Sequence, residues 1–274
     1  MRLGAPHRHF RVTDSTNARA RELAEAGAPG GTVVTADQQT AGRGRQGRSW
    51  TAPPGGALLY SAILRPLGER HLLLSLAVPL AVCEAAEELR PGIECRIKWP
   101  NDVWLEGRKL AGVLIEAKPQ DGWAAVGVGM NLTIAPDKFP PDLRDTAISV
   151  FGALAGSRES PRRCHAKRPR QGDSCRETAQ DFTADGGDGH LARRLPTPTT
   201  AAAVLSRHLD RWVDADKDEI LAAWRQRDAL RGREISWEGG SGVADGIDDR
   251  GRLAVVVPAG DRVLLGAGEV HLRL

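Results

Sequence analysis

Residues 93–132 decide the fold: Ile93-Glu-Cys-Arg-Ile-Lys-Trp-Pro-Asn-Asp102, Val103-Trp-Leu-Glu-Gly107, Arg108-Lys-Leu-Ala-Gly-Val-Leu-Ile-Glu-Ala-Lys118 and, after Pro119-Gln-Asp-Gly122, Trp123-Ala-Ala-Val-Gly-Val-Gly-Met-Asn-Leu132. Apolar and β-branched residues dominate 93–99, 109–117 and 123–132, which predicts three strands. Glu106-Gly107 and Asp121-Gly122 are the residue types that tight turns need. The strands are therefore consecutive and antiparallel.

Upstream, a helix is predicted to open at Asp14-Ser15-Thr16, where the side chains can satisfy free N–H groups. Ala20, Leu23 and Ala24 share one face and Gly27 is the stop. Residues 32–36 read as a strand. Residues 57–64 alternate Leu58, Tyr60, Ala62 and Leu64 as a half-buried strand does. Residues 71–89 read as a buried helix that Pro79 should kink. Hairpins inside an alternating helix–strand chain predict an α+β class, a mixed β-sheet with helices on one face.

Downstream, 200–213 and 217–230 are predicted amphipathic helices. Beyond them, the turns Asp249-Arg-Gly251 and Ala259-Gly-Asp261 separate short apolar runs at 233–237, 253–257 and 262–265. That pattern predicts a small C-terminal β-barrel over 231–274, after a main domain over 1–230. Periodicity stops at Leu154 and resumes at Ala203. Residues 157–198 are read as a disordered insertion outside the main domain, or as GC-rich DNA read in another frame.

Composition narrows the function. Across 274 residues, 38 basic side chains against 35 acidic leave a net charge of +3, too little for a generic polyanion binder. No apolar run or N-terminal apolar segment is long enough to predict a membrane span or a signal peptide. Four scattered cysteines (Cys83, Cys95, Cys164, Cys175) predict a reducing cytoplasm rather than a disulfide scaffold. His165 has no Cys-x-x-Cys pair to make a zinc site. Lysines stand only at 98, 109, 118, 138, 167 and 217, so a lysine inside a motif is conspicuous.

Residues 42–47 formally satisfy Gly-x-Gly-x-x-Gly. A dinucleotide fold needs the third glycine to open a helix, but Pro53, Pro54, Gly55 and Gly56 follow too soon. No Walker sequence occurs. What remains is a loop with three guanidinium forks, Arg43, Arg45 and Arg48, able to bind carboxylate or phosphate. By itself it could equally be a solvated basic loop or a nucleic-acid contact, as could the basic stretch 158–176. The hairpin brings Asp102 near Lys109 at a sheet end. Lysine there suits a phosphate, and the carboxylate suits Mg²⁺ or an incoming amine; solvated hairpin charges are the plain alternative. Gly127 and Gly129 predict close approach by a ligand, and Asn131 either reads a nucleobase edge or caps a turn. Trp212 and Trp224 are expected in the core, and His7 and His9 at the surface.

Taken in order, these motifs resemble the biotin protein ligases: Ser15-Thr-Asn17, Gln39 with Gly42-Arg-Gly-Arg-Gln-Gly-Arg-Ser-Trp50, Lys98-Trp-Pro-Asn-Asp102, Arg108-Lys-Leu-Ala-Gly112 and Gly127-Val-Gly-Met-Asn131. The likeness covers about residues 8–152 and, more loosely, 200–272. It implies a class II synthetase-like catalytic domain in a cytoplasmic enzyme, with ATP and biotin as substrates and Mg²⁺. Biotin would be activated as biotinyl-5′-adenylate and passed to a lysine of the biotin carboxyl carrier domain of an acyl-CoA carboxylase. The resemblance assigns biotin contacts to Ser15, Thr16, Asn17, Gln39, Gly42, Arg43, Arg45, Lys109, Gly112 and Gly127. It assigns adenylate contacts to Arg43, Arg45, Arg48, Trp50, Lys98 and Asn131. Lys109, Arg45 and Asp102 would be catalytic, with Asp102 serving either the metal or the acceptor amine.

No helix-turn-helix pattern precedes residue 8, which resembles the monofunctional class and implies no specific DNA partner. A homodimer is left open as the assembly. Lipoate or octanoate ligases and transferases share the fold but lack the Gly-Arg-Gly-Arg loop. A non-catalytic nucleic-acid-binding module would give the Asp102–Lys109 hairpin no purpose.

Overall fold

A computed structural model describes residues 2–152, 195–266, 268 and 270–272. Most of the tract at 157–198, with Cys164, His165, Cys175 and the basic stretch 158–176, lies outside the described residues.

Seven strands form one sheet in the order β1-β2-β3-β7-β6-β5-β4. They are β1 (His7–Thr13), β2 (Val33–Gln39), β3 (Ala57–Leu64), β4 (Cys95–Lys98), β5 (Asp102–Leu105), β6 (Arg108–Lys118) and β7 (Trp123–Asn131). Only β1 and β2 are parallel; every other neighbour pair is antiparallel, so the sheet is mixed. Glu106 and Gly107 turn β5 into β6 at φ 52° and 74°, the left-handed pair that a two-residue hairpin requires.

Helices cover both faces of this sheet. Helices α2 (Leu74–Leu89), α3 (Pro198–Val213) and α4 (Lys217–Gln226) pack on one face, against Leu58, Tyr60, Ala62 and Leu64 of β3 and Val126 and Val128 of β7. Helix α1 (Thr16–Glu25) covers part of the other, with Ala20 and Ala24 against Val34, Ile63, Trp123 and Ala125. All eight residues of β3 are consequently buried, not alternate ones. Burying one such apolar side chain contributes about 1.5–3 kcal/mol, so central β3 anchors the domain. Pro79 sits inside α2, which runs on from Leu74 to Leu89.

Helix α4 stops at Gln226, short of the expected 230. The chain leaves it to run beside β4, with Ile97 N–H donating to the Arg227 carbonyl at 2.7 Å and Ala229 N–H donating to the Ile97 carbonyl at 2.9 Å. Trp212 and Trp224 are buried in the main core as expected, and His7 and His9 are exposed on β1, each ring bonded to Thr35 Oγ1. Cys83 and Cys95 are free and buried.

The C-terminal unit is a five-stranded antiparallel sheet, ordered β11-β10-β9-β8-β12. Its strands are β8 (Glu234–Trp237), β9 (Gly240–Ile247), β10 (Leu253–Val256), β11 (Arg262–Leu265) and β12 (Val270–Leu272). Among the described residues it keeps β11 and β12 as two ends rather than pairing them into a closed barrel. None of the helices is long and apolar enough to cross a membrane, among the described residues.

Candidate active site

A cleft of about 930 Å³, open mouth included, lies on the α1 face of the large sheet. Its floor is two cross-strand rows, Ser61–Gly127–Leu114 and Leu59–Gly129–Gly112. The glycines are spaces for other side chains. A Cβ on Gly127 would stand 2.5 Å from Asn17 Oδ1, and one on Gly129 would stand 2.5 Å from the Trp50 ring. A Cβ on Gly112 would meet Trp50 and the Lys109 stem at 3.3 Å.

The first turn of α1 forms one wall. Ser15, Thr16 and Asn17 are all buried. Ser15 holds the N-cap position without a side-chain cap bond. Instead Gln39 Oε1 accepts both the Thr16 N–H at 2.7 Å and the Thr16 hydroxyl at 3.0 Å, satisfying one of the free donors of the helix start. Ser61 Oγ lies 2.9 Å from both Thr16 Oγ1 and Asn17 Oδ1. The Asn17 amide donates to Glu116 Oε2 at 2.8 Å and reaches the Leu114 carbonyl at 3.4 Å. This chain of polar groups fixes how each presents itself to the cleft.

The glycine-arginine loop folds back on itself as a narrow hairpin: Trp50 N–H donates to the Gly42 carbonyl at 2.9 Å and Gly44 N–H to the Arg48 carbonyl at 2.7 Å. Gln46 and Gly47 make its tip at φ 53° and 74°, inside a single 3-10 turn over Arg45–Gly47 that no α-helix follows. Arg43, Arg45 and Arg48 all line the cleft. Arg43 pairs with Glu116 Oε1 at 3.2 Å, and Arg45 donates to Asn101 Oδ1 at 3.3 Å. Trp50 lies on the Gly112–Gly129 floor with its indole N–H buried and without a partner.

The opposite wall is the β4–β5 hairpin. Lys109 Nζ stands 2.8 Å from Asp102 Oδ1 and 5.9 Å from the centre of the Trp50 ring. Lys98 Nζ lies 5.4 Å from the centre of the Trp104 ring. Asn101 is clamped to β6, its amide donating to the Val113 carbonyl and its own carbonyl accepting the Val113 N–H, both at 3.0 Å. Asp102 is the only carboxylate among the lining residues, and no group of three or more His, Cys, Asp or Glu able to hold a metal ion occurs among the described residues. A lone carboxylate fits a divalent cation shared with substrate phosphates, not a resident site built by protein alone.

Of the residues singled out from sequence, Ser15, Thr16, Asn17, Gln39, Arg43, Arg45, Arg48, Trp50, Lys98, Asp102, Lys109, Gly112 and Gly127 line this one cleft. Gly42 and Asn131 do not. Gly42 sits behind it, where a Cβ would collide with the Trp50 carbonyl and the Gln39 side chain. Asn131 is buried, and its amide donates to the Ile148 carbonyl at 3.0 Å, which ties a neighbouring loop down.

Sequence reasoning missed Ser61, Glu116, Trp99 and the C-terminal contributions of Gly268 and Val270, all but Glu116 lining the cleft. Ser61 had a signal, a small hydroxyl in the middle of an otherwise hydrophobic strand. Glu116 is the only acid of β6. Nothing local marks Val270.

A model of the biotin/lipoate A/B protein ligase family matches residues 9–132. Over 147 residues the chain is 40% identical to the bifunctional ligase/repressor BirA of Bacillus subtilis, a match covering 52% of this chain and 45% of that protein, so it spans less than half of that relative. It is 34% identical to the biotin--[acetyl-CoA-carboxylase] ligase of Mycobacterium tuberculosis, over 95% of this chain and 87% of that one. The solved biotin protein ligase of Aquifex aeolicus in complex with biotin and ATP superposes with a TM-score of 0.68 at 25% identity, over 98% of this chain and 99% of that one. With its glycine-arginine loop, Lys98–Asp102 hairpin and glycine floor gathered around one cleft, the chain belongs to the biotin/lipoate A/B protein ligase family, on its biotin protein ligase branch.

Proposed function

We propose that the chain is an ATP-dependent biotin protein ligase, acting in the cytoplasm on the biotin carboxyl carrier domain of an acyl-CoA carboxylase. One observation carries this reading: the Ser15–Asn17 polar wall, three loop arginines and Lys109 all line one cleft. A carboxylate and a triphosphate repel each other, and only concentrated positive charge lets them meet.

Biotin's ureido ring would take the hydrogen-bonding wall of Ser15, Thr16, Asn17 and Gln39. A carboxylate oxygen then attacks the α-phosphorus of ATP; the new P–O bond forms as the bond to the pyrophosphate oxygen breaks. Lys109 would bridge the attacking carboxylate and the α-phosphate, and Arg43, Arg45 and Arg48 would take up charge on the adenylate and the departing pyrophosphate, a reading supported by their lining the same cleft. A divalent cation carried on the triphosphate would neutralise phosphate charge, and Asp102 is the carboxylate available to it. In the second half-reaction an acceptor lysine amine attacks the acyl carbon, AMP leaves with the bonding pair, and the amine proton is lost to solvent or to a nearby base such as Asp102.

A lipoate or octanoate ligase of the same fold would have no use for the glycine-arginine loop. A nucleic-acid module would spread its cations over a face, whereas these line a cleft beside buried polar groups. The test is direct. The protein is incubated with ATP, Mg²⁺, biotin and a carrier domain, and the carrier is weighed for the biotinyl adduct; a lipoyl or octanoyl adduct under matched conditions, or none, sinks the reading.

A further inference from the structure

Glu116 stands one step beyond the cleft floor, in the row Gly112, Leu114, Glu116 along β6. Its carboxylate collects three donors from two different elements. Helix α1 supplies the Asn17 amide at 2.8 Å and Arg21 at 3.1 Å, and the glycine-arginine loop supplies Arg43 at 3.2 Å. The Arg43 side chain is 47% exposed and that of Glu116 22%. A pair this open to water is weak and screened by salt, so a competing anion can take its arginine.

We propose that Glu116 is a positioning residue with a latch function: it orients the Asn17 amide and restrains the glycine-arginine loop through Arg43 until an anionic ligand takes that arginine over. The inference rests on the reading of the cleft as a site for biotin and phosphate groups, and adds which protein anion the incoming carboxylate or pyrophosphate displaces. The exchange leaves no bare buried charge. After Arg43 leaves, Arg21 and the Asn17 amide still hold Glu116, so release costs little and is reversible. The other end of the Asn17 side chain is held separately, its Oδ1 accepting from Ser61 Oγ at 2.9 Å.

Two variants separate the roles. Glu116→Gln keeps an acceptor for Asn17 and removes the charge; Glu116→Ala removes both. In the ligand-free protein, trypsin should cut after Arg43, Arg45 and Arg48 faster in Glu116→Gln than in the wild type, with Tm showing that the variant is folded. Inorganic pyrophosphate should bind Glu116→Gln about two- to five-fold more tightly, as expected for loss of an exposed competing charge, and the gain should vanish in about 1 M salt. Biotin should bind Glu116→Gln at least as well as wild type, but Glu116→Ala about ten-fold or more weakly, because the Asn17 amide has lost its short acceptor and keeps only the long contact to the Leu114 carbonyl. Wild-type loop cleavage and wild-type pyrophosphate affinity in Glu116→Gln overturn the latch. Equal biotin affinity for the two variants overturns the role in orienting Asn17. If the wild-type protein binds neither probe, the functional reading fails, and the ligand-free cleavage rates still decide the latch.

Discussion

Lys109 and Asp102 touch at 2.8 Å although they are not opposite each other in the sheet: Asp102 pairs with Gly112, and Lys109 pairs with Trp104. A bulge between these pairs places one extra residue, Leu110, on β6. Without it, Lys109 would share the face of Ala111 and Val113 and point into the α2 core. With it, consecutive Leu110 and Ala111 both enter that core and the lysine turns to the cleft. Lys109→Ala should therefore leave stability little changed, because the half-buried ion pair opens onto the cleft and such a partly solvated pair contributes about 1 kcal/mol. Adenylate formation should fall by about two to three orders of magnitude, the usual loss for a transition-state charge partner. Pyrophosphate release in single-turnover assays measures it; a wild-type rate would remove Lys109 from the chemistry.

The floor glycines give a graded steric prediction. Gly129→Ala should drive the Trp50 ring off the sheet, since the new Cβ would lie 2.5 Å from it, whereas at Gly112 the gap is 3.3 Å. The 129 variant is expected to raise the KM for ATP about ten-fold or more and to shift tryptophan fluorescence, with Gly112→Ala much milder. Equal effects at the two positions would show that the Trp50 contact is not what the glycines protect.

Besides lining the cleft at Gly268 and Val270, the C-terminal part holds its wall through Trp99, whose indole N–H donates to the carbonyl of Gly251 in the β9–β10 turn at 3.1 Å. The segment after α4 also pairs with Ile97, so the Lys98–Asp102 stretch is held from both sides. Trp99→Phe keeps most of the packing and deletes the donor. It should cost about 1 kcal/mol of stability and lower the turnover number for adenylation several-fold with little change in the KM for biotin. A KM effect alone, with turnover intact, would place Trp99 in binding instead of in holding the hairpin.

Much of this was legible because local chemistry and tertiary position agree. Glu106-Gly107 and Asp121-Gly122 announced their turns, and the first of them brings Asp102 near Lys109. The strand it joins to β6, however, is β5 (Asp102–Leu105), too short to stand out in sequence, which separates β4 from β6 where three consecutive strands were expected. Strand β1 was not legible: His7-Arg-His-Phe-Arg-Val-Thr13 is an edge strand whose residues are nearly all exposed, with Phe10 as its one packing contact in the α1 cluster. Strand β9 hid because Gly240, Gly242 and Gly246 interrupt any alternation. The half-buried reading of β3 failed because Leu59, Ser61 and Ile63, which looked like its solvent side, face α1 and the cleft. The bulge at Leu110 has no sequence mark, since it is set by which neighbours the two strands meet. Asn131 sits in the Gly127–Asn131 motif, yet its amide bonds Ile148 and the residue does not line the cleft.

Asp228, in the segment between α4 and β8, carries a pH prediction. Its Oδ1 accepts the Leu230 N–H at 2.8 Å, while its Oδ2 is buried without a partner. Burial raises its carboxyl above the ordinary aspartate value, with backbone N–H groups of Leu230 and Arg231 opposing the rise. A carboxyl raised in the folded state binds its proton more tightly folded than unfolded. It therefore stabilises the fold at pH below the ordinary aspartate range, and that contribution is lost as pH rises through its folded value. Asp228→Asn keeps an oxygen for Leu230 and cannot ionise. The difference in stability, variant minus wild type, should grow in favour of the variant as pH is raised from the acid end through that window, then level off. Paired denaturant titrations across the range read it out; a difference that is flat with pH, or that falls as pH rises, would mean that the fold does not raise the Asp228 carboxyl.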